Sequence, residues 1–173
     1  MFSDTLPELL NANRFIDAQE AASAVLEPKH YQRLSQVATL QPGGQITLTG
    51  RRDPFGPRIV EGRVQCTVEM TCQRCLETVT KELEGTIGWG LVFSEVEMQS
   101  LDKQFDPVLI VEGQLRLREA VEDELLLLLP MMPMHASCDS GWKPQAEDEY
   151  DAPRAERESP FSVLSQLKNE QGS

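Results

Sequence analysis

The stretch TCQRCLET (71–78) sets Cys72 and Cys75 two residues apart, and MHASC (134–138) repeats that spacing with His135 and Cys138. Two thiolates offered from one tight turn can reach a single tetrahedral ion about 2.3 Å from each sulfur. One Cys-x-x-Cys pair is half of such a site. His135 and Cys138 would complete a Cys₃His set, whose thiolate–imidazole character favours zinc. The 59 residues between Cys75 and His135 mean that the fold must carry the two halves to each other. Two other readings stand beside this one. A redox pair wants Cys-x-x-Cys at a helix N-terminus inside a βαβ pattern, whereas here both flanks have strand periodicity. The plainest reading is a tight turn with free thiols and a surface histidine nearby. Cys66, in the middle of an alternating apolar run, reads as a small buried hydrophobe.

A second group is cationic. Arg51, Arg52 and Arg58 border one hairpin loop and Arg74 sits on the next hairpin tip, a candidate RNA-binding set. Consecutive hairpin loops lie at opposite ends of a meander, so Arg74 need not join the other three. No stacking aromatics are interleaved among them, and single-strand recognition is poorly supported. Hydrolytic chemistry has little to work with. The chain holds two histidines, of which His30 reads as a surface residue of a short amphipathic helix. No Gly-rich turn runs into a helix to hold phosphate. Glu122, Asp123 and Glu124 fan over about 200° of helix surface and read as a solvated face, with no common focus for an ion.

These groups need elements to hold them. Residues 1–40 are expected to form short helices: Asp17 caps AQEAASAVL, and Pro28 opens PKHYQRLSQVATL, with Tyr31, Leu34 and Ala38 on one face. After QPGG the period becomes two. QITLTG is a short strand. RIVEGRVQCTVEM is the clearest one, with Val60, Val64, Cys66, Val68 and Met70 on one face. Beyond the Cys-x-x-Cys tip the alternation resumes, with Leu83, Ile87, Trp89, Leu91 and Phe93 together. SEVEMQSLDKQFD reads as an acidic loop and PVLIV as a fourth strand. LRLREAVEDELLLLL (115–129) is the best helix, with Leu117, Val121, Leu125 and Leu128 in a stripe that Pro130 and Pro133 end. Residues 139–158 form an acidic, flexible linker. SPFSVLSQLK then restores an amphipathic signal, with Phe161, Leu164, Leu167 and Lys168 as candidate docking residues.

Composition narrows the setting. At 173 residues the chain suits one domain with a tail. No apolar run reaches the ~18 residues of a membrane span. The N-terminus lacks the basic and apolar regions of a signal peptide. A cytoplasmic protein with reduced cysteines is therefore expected. The formal charge is −12, and residues 81–173 carry eight Lys/Arg against nineteen Asp/Glu. Such a half repels phosphate backbones and favours basic partners.

Several of these segments occur together and in order: VQCTVEMTCQRCLETV, LREAVEDELLLLLPMMPMH and SPFSVLSQLK. In this arrangement, from about residue 5 to residue 168, the chain resembles the YceD family, also called DUF177, of large ribosomal RNA subunit accumulation proteins. The resemblance implies a bacterial cytoplasmic protein needed for normal accumulation of large-subunit ribosomal RNA, in a family not known for enzymes. Many members carry further cysteines after the Leu-Pro segment, in a pattern that completes the first Cys-x-x-Cys. This sequence departs from that pattern, keeping Cys138 alone with His135 nearby.

The expected architecture is α+β. An antiparallel β-meander of about four strands carries a packed amphipathic helix, with small N-terminal helices in a domain over 1–138. The acidic linker (139–158) and a docking segment (159–173) follow. The expected role is a non-enzymatic ribosome-biogenesis factor, without a small-molecule substrate. Its partners would be large-subunit ribosomal RNA or its processing and assembly proteins. The alternative is a protein-binding adaptor that works through its acidic half and C-terminal segment without touching RNA. A metal-dependent hydrolase is the remaining and least favoured class.

Overall fold

Alternation of apolar and polar residues builds the centre of the molecule. A computed structural model describes residues 5–19, 21–52 and 56–139. The acidic linker beyond Asp139 and the docking residues Phe161, Leu164, Leu167 and Lys168 lie outside the described residues.

In chain order the elements are β1 (Leu9–Asn11), α1 (Ala12–Ala18), β2 (Ala21–Val25), two 3₁₀ turns (Pro28–His30 and Leu34–Gln36), β3 (Thr39–Leu40) and β4 (Gln45–Arg52). There follow β5 (Arg58–Thr71), β6 (Thr78–Val92), α2 (Glu95–Ser100), β7 (Asp106–Leu109), β8 (Gln114–Arg116) and α3 (Leu117–Leu128). A six-stranded sheet has the order β2-β4-β5-β6-β7, with β3 also paired to β5, while β1 and β8 form a separate two-stranded ribbon. The β5–β6 hairpin is the spine. Its antiparallel register runs without a break from Arg58↔Leu91 to Thr71↔Thr78. Gly62 allows β4 to close on this hairpin, because a Cβ there would collide with the Thr47 carbonyl oxygen.

The expected strand faces hold for most positions. Val60, Val64, Cys66, Val68, Leu83, Ile87, Trp89 and Leu91 are buried, and α3 places Leu117, Val121 and Leu125 against them at full burial. Each such aliphatic side chain contributes about 1.5–3 kcal/mol of burial free energy. Phe93 departs from its expected face and is 41% exposed.

Four expectations are corrected. AQEAASAVL does not form a capped helix: α1 ends at Gln19 in a left-handed conformation (φ 51°), and Ala21–Val25 pairs with β4 as a strand. Ala22 and Ala24 are buried between exposed neighbours, so five pairing positions override the helical preference of alanine. PKHYQRLSQVATL is two 3₁₀ turns and a strand, although Tyr31, Leu34 and Ala38 are buried as expected. The backbone N–H groups of Arg33 and Leu34, which a continuous helix would use internally, instead donate to the Glu122 carboxylate at 2.7 and 3.1 Å. The acidic segment after Phe93 contains α2. Ser94 caps it, its Oγ accepting from Glu97 N–H at 3.3 Å, while the Glu97 carboxylate accepts from the N–H of Phe93, one residue before the cap, at 2.7 Å. Finally, the sheet is not a purely antiparallel meander of four strands. β7 runs parallel to β6, because the α2 segment returns the chain to the same end of the sheet before β7 begins.

Glu122 is also not on a solvated helix face. It is 6% exposed and additionally takes Arg33 Nε–H at 2.9 Å. Among the described residues no helix is long and apolar enough to cross a membrane.

Candidate metal centre

The Cys-x-x-Cys tip is a closed turn between β5 and β6. Cys72 N–H donates to the Glu77 carbonyl at 2.8 Å, and Leu76 N–H returns to the Cys72 carbonyl at 3.0 Å. Leu76 closes the turn at φ 62°, a left-handed position that usually belongs to glycine, and its side chain is 75% exposed.

The chain after α3 is tied to this tip. Gln73 N–H donates to the Pro133 carbonyl at 2.8 Å, and Lys81 Nζ to the Met134 carbonyl at 2.7 Å. Arg74 reaches the Cys138 carbonyl at 3.5 Å and Met134 Sδ at 3.8 Å. These bonds carry the second half of the motif across 59 residues of sequence.

As a result, one ligand atom from each of Cys72, Cys75, His135 and Cys138 falls within 4.8 Å of every other. Cys72 Sγ and Cys138 Sγ are 3.8 Å apart. Two sulfurs bound at ~2.3 Å to one tetrahedral ion would stand at ~3.8 Å. Cys75 Sγ lies 3.3 Å from His135 Nδ1. His135 Nε2 lies 3.0 Å from the Thr78 carbonyl. A carbonyl accepts only, so Nε2 carries the hydrogen and Nδ1 presents its lone pair to the thiols, as a metal-ligating imidazole must.

Cys72 is buried. Burial works against its ionisation, but backbone N–H groups of Cys75, Arg74 and His135 donate to the sulfur and bring its pKa down to about 5. Cys138 is pushed upward, first by burial and then by the Cys72 and Cys75 sulfurs beside it. Several thiolates packed this closely repel one another without a cation between them. The donor set therefore fits zinc, and four protein ligands would close its coordination shell, the form of a structural site.

Cys66 lies apart from this cluster, inside the sheet core, where burial lifts its pKa to about 11. His30 is not a free surface group. Its Nε2 meets the Glu27 carboxylate at 3.0 Å and its Nδ1 meets Arg118 at 3.2 Å.

The arginines divide between two ends. Arg51 and Arg52 pair with Ile59 and Arg58 across β4 and β5, which puts two guanidinium-bearing residues, Arg52 and Arg58, directly opposite each other. Arg74 is at the far end of β5, roughly 40 Å away at ~3.3 Å per residue. Arg51 Nη2 meets the Glu61 carboxylate at 2.8 Å. The Arg58 guanidinium lies over the Phe93 ring at 4.6 Å, and its buried Nε has no hydrogen-bond partner among the described residues. Phe93 was missed as a member of this group, because period-two alternation alone assigns it to the core.

Both halves of the cysteine–histidine cluster fall within a stretch that matches known sequences. A profile described as "Large ribosomal RNA subunit accumulation protein YceD" matches residues 60–168. A protein of Haemophilus influenzae named "Large ribosomal RNA subunit accumulation protein YceD" is 33% identical over 141 residues, covering 79% of this chain and 81% of its own length. No solved structure matches. The matched region contains both halves of the cysteine–histidine cluster and the helix between them, so the chain belongs to the YceD family.

Proposed function

We propose that this chain supports the accumulation of large-subunit ribosomal RNA as a non-enzymatic cytoplasmic biogenesis factor. The observation that carries this reading is the family match, together with a relative of nearly equal length bearing that function in its name. The Cys72, Cys75, His135 and Cys138 cluster supports the non-enzymatic part. A four-ligand thiolate–imidazole site leaves no position for a substrate or an attacking water, and its role is to staple the post-α3 segment to the β5–β6 tip.

Direct contact with RNA is assigned to the Arg51, Arg52 and Arg58 end of the sheet. Like charges placed opposite one another across a strand pair are unfavourable; the Asp17 carboxylate stands 4.0 Å from Arg52, a long and exposed pairing, and a phosphate between Arg52 and Arg58 would offset the repulsion further. Phe93 beside Arg58 supplies the aromatic surface that stacking on a base requires. Arg74, held against Cys138 and Met134, belongs to the metal-centre fold and not to this surface.

The test has two levels. Depleting the protein in cells should lower the ratio of large- to small-subunit ribosomal RNA, and the wild-type chain should restore it. An unchanged ratio would remove the reading. The purified chain should bind ribosomal RNA with a salt-dependent affinity, and the Arg51→Ala, Arg52→Ala, Arg58→Ala triple variant should lose most of it. If that variant binds as well as the parent, the arginine surface is not the contact; if the parent chain itself shows no salt-dependent binding, the adaptor reading replaces RNA contact. The excess of nineteen acidic over eight basic residues in 81–173 favours that second reading, with a basic assembly protein as partner.

A further inference from the structure

Strand β6 is 15 residues long, but β7 covers its outer edge only from Trp89 to Val92. The direction of the uncovered peptide groups follows from the register. The Thr67 carbonyl accepts from Gln41 N–H on the side of β5 away from β6. Its partner Glu82 therefore turns its own N–H and C=O away from β5. The unbroken register repeats this at every second residue, so Thr80, Glu84 and Thr86 also face outward. Two contacts have the same parity: the Thr78 carbonyl accepts from His135 Nε2 at 3.0 Å, and the Val92 carbonyl accepts from Ile110 N–H at 2.8 Å. Between those two points, among the described residues, the outward peptide groups of Thr80, Glu82, Glu84 and Thr86 have no hydrogen-bond partner. The result is an open strand edge of roughly 20 Å at ~3.3 Å per residue, bounded at one end by the metal-centre histidine and at the other by β7.

The two sides of this edge differ. On the solvent face Glu82 and Glu84 are exposed. Towards the opposite face a groove runs between β6 and the chain after α3: Leu83, Leu128, Pro130 and Met132 line its apolar part, Glu82 reaches its rim, and Arg74 and Lys81 lie toward the metal-centre end, with Lys81 held on the Met134 carbonyl. Methionine-rich walls repack around varied apolar side chains. An unpaired edge of this kind is a template for another strand, and the charges select which one. Two copies pairing antiparallel about Leu83 would set Glu82 against Glu84, a like-charge contact that opposes self-association. The same carboxylates favour lysine or arginine.

We propose that the Thr80–Thr86 edge of β6 receives an extended basic segment of a partner protein as an added strand. Its Lys or Arg side chains lie beside Glu82 and Glu84, and its alternate apolar side chains enter the groove of Leu128, Pro130, Met132 and Met134. This surface is separate from the arginine end and does not depend on the RNA-contact reading.

The test uses the full-length chain and a capped heptapeptide of alternating Lys and Val. Amide exchange is followed at single-residue resolution by NMR. Saturable binding should slow exchange at Thr80, Glu82, Glu84 and Thr86 by about tenfold or more, and a Glu82→Lys, Glu84→Lys variant should bind about tenfold more weakly. The same peptide N-methylated at alternate residues keeps its charge but lacks half its donors, and it should not bind. The proposal is overturned if the N-methylated peptide binds equally well, since that would be charge attraction alone. It is equally overturned if no edge amide is protected at ~1 mM peptide. Edge amides already protected in the free monomer, or in a dimer, would mean that another occupant fills the edge, and would overturn it too.

Discussion

His135 donates from Nε2 to the Thr78 carbonyl at 3.0 Å while its Nδ1 faces Cys75 Sγ at 3.3 Å. One imidazole thus both caps the end of the open β6 edge and offers a ligand atom to the thiols. The bond to Thr78 selects the tautomer before any ion arrives, so part of the ordering cost of a metal site is met by the fold itself.

Protein purified without chelator should contain about one zinc per chain, and a strong chelator should lower the Tm. With a domain core already present, the metal is expected to contribute ~3 kcal/mol, or about 10 °C for a chain of this size. Elemental analysis and thermal melts check this. Less than about half an equivalent of zinc, unchanged in Cys72→Ser, would rule out the site.

Glu122→Ala should destabilise the fold by about 3 kcal/mol in urea denaturation, because it strands the Arg33 and Leu34 N–H groups and the Arg33 guanidinium that the carboxylate now accepts. Glu122→Gln keeps an acceptor and should cost about half as much. Equal costs for the two variants would show that the charge, and not the pattern of acceptors, holds the turn.

Leu76→Gly should raise stability by about 0.5–1 kcal/mol, since the turn holds Leu76 at φ 62° with its side chain mostly in solvent. A loss of stability in the metal-loaded protein would mean that the Leu76 side chain makes a contact worth more than the strain.

Glu124 has its pKa raised, chiefly by burial and also by Asp106, with the Trp89 indole N–H opposing the shift. A carboxyl raised in the folded state costs stability above its folded pKa, and this cost disappears as the pH falls through that pKa and the folded form takes up its proton first. Glu124→Gln should therefore raise the Tm at pH 7 by a small amount, about a degree or two, with a smaller gain at pH 4.5. A gain that grows on acidification would contradict this sign.

Local pattern was legible where one face alone decides it. The alternation along 58–70 and 83–91 placed the β5 and β6 core residues, and the stripe of Leu117, Val121 and Leu125 placed α3. It failed where a distant partner sets the conformation. Ala21–Val25 is a strand because β4 pairs with it, and the 3₁₀ turns at Pro28–His30 and Leu34–Gln36 flank amides that answer to Glu122, 88 or 89 residues away in sequence. The Ser94-x-x-Glu97 signature of a helix start was present in the letters and was outweighed by an acidic composition.

By itself the sequence determined which side chains were available: three thiols and an imidazole at paired spacings, an arginine group around one hairpin, and alternating strands around a Cys-x-x-Cys tip. Those are properties of residue type and short-range periodicity, and they also carried the family resemblance. The tertiary structure alone decided which of them meet. It set the post-α3 segment against the β5–β6 tip so that Cys138 Sγ stands 3.8 Å from Cys72 Sγ. It separated Arg74 from Arg51, Arg52 and Arg58, and it left the Thr80–Thr86 edge uncovered. Such meetings depend on strand register and on backbone bonds between segments far apart in the chain, and no local window of sequence contains both partners.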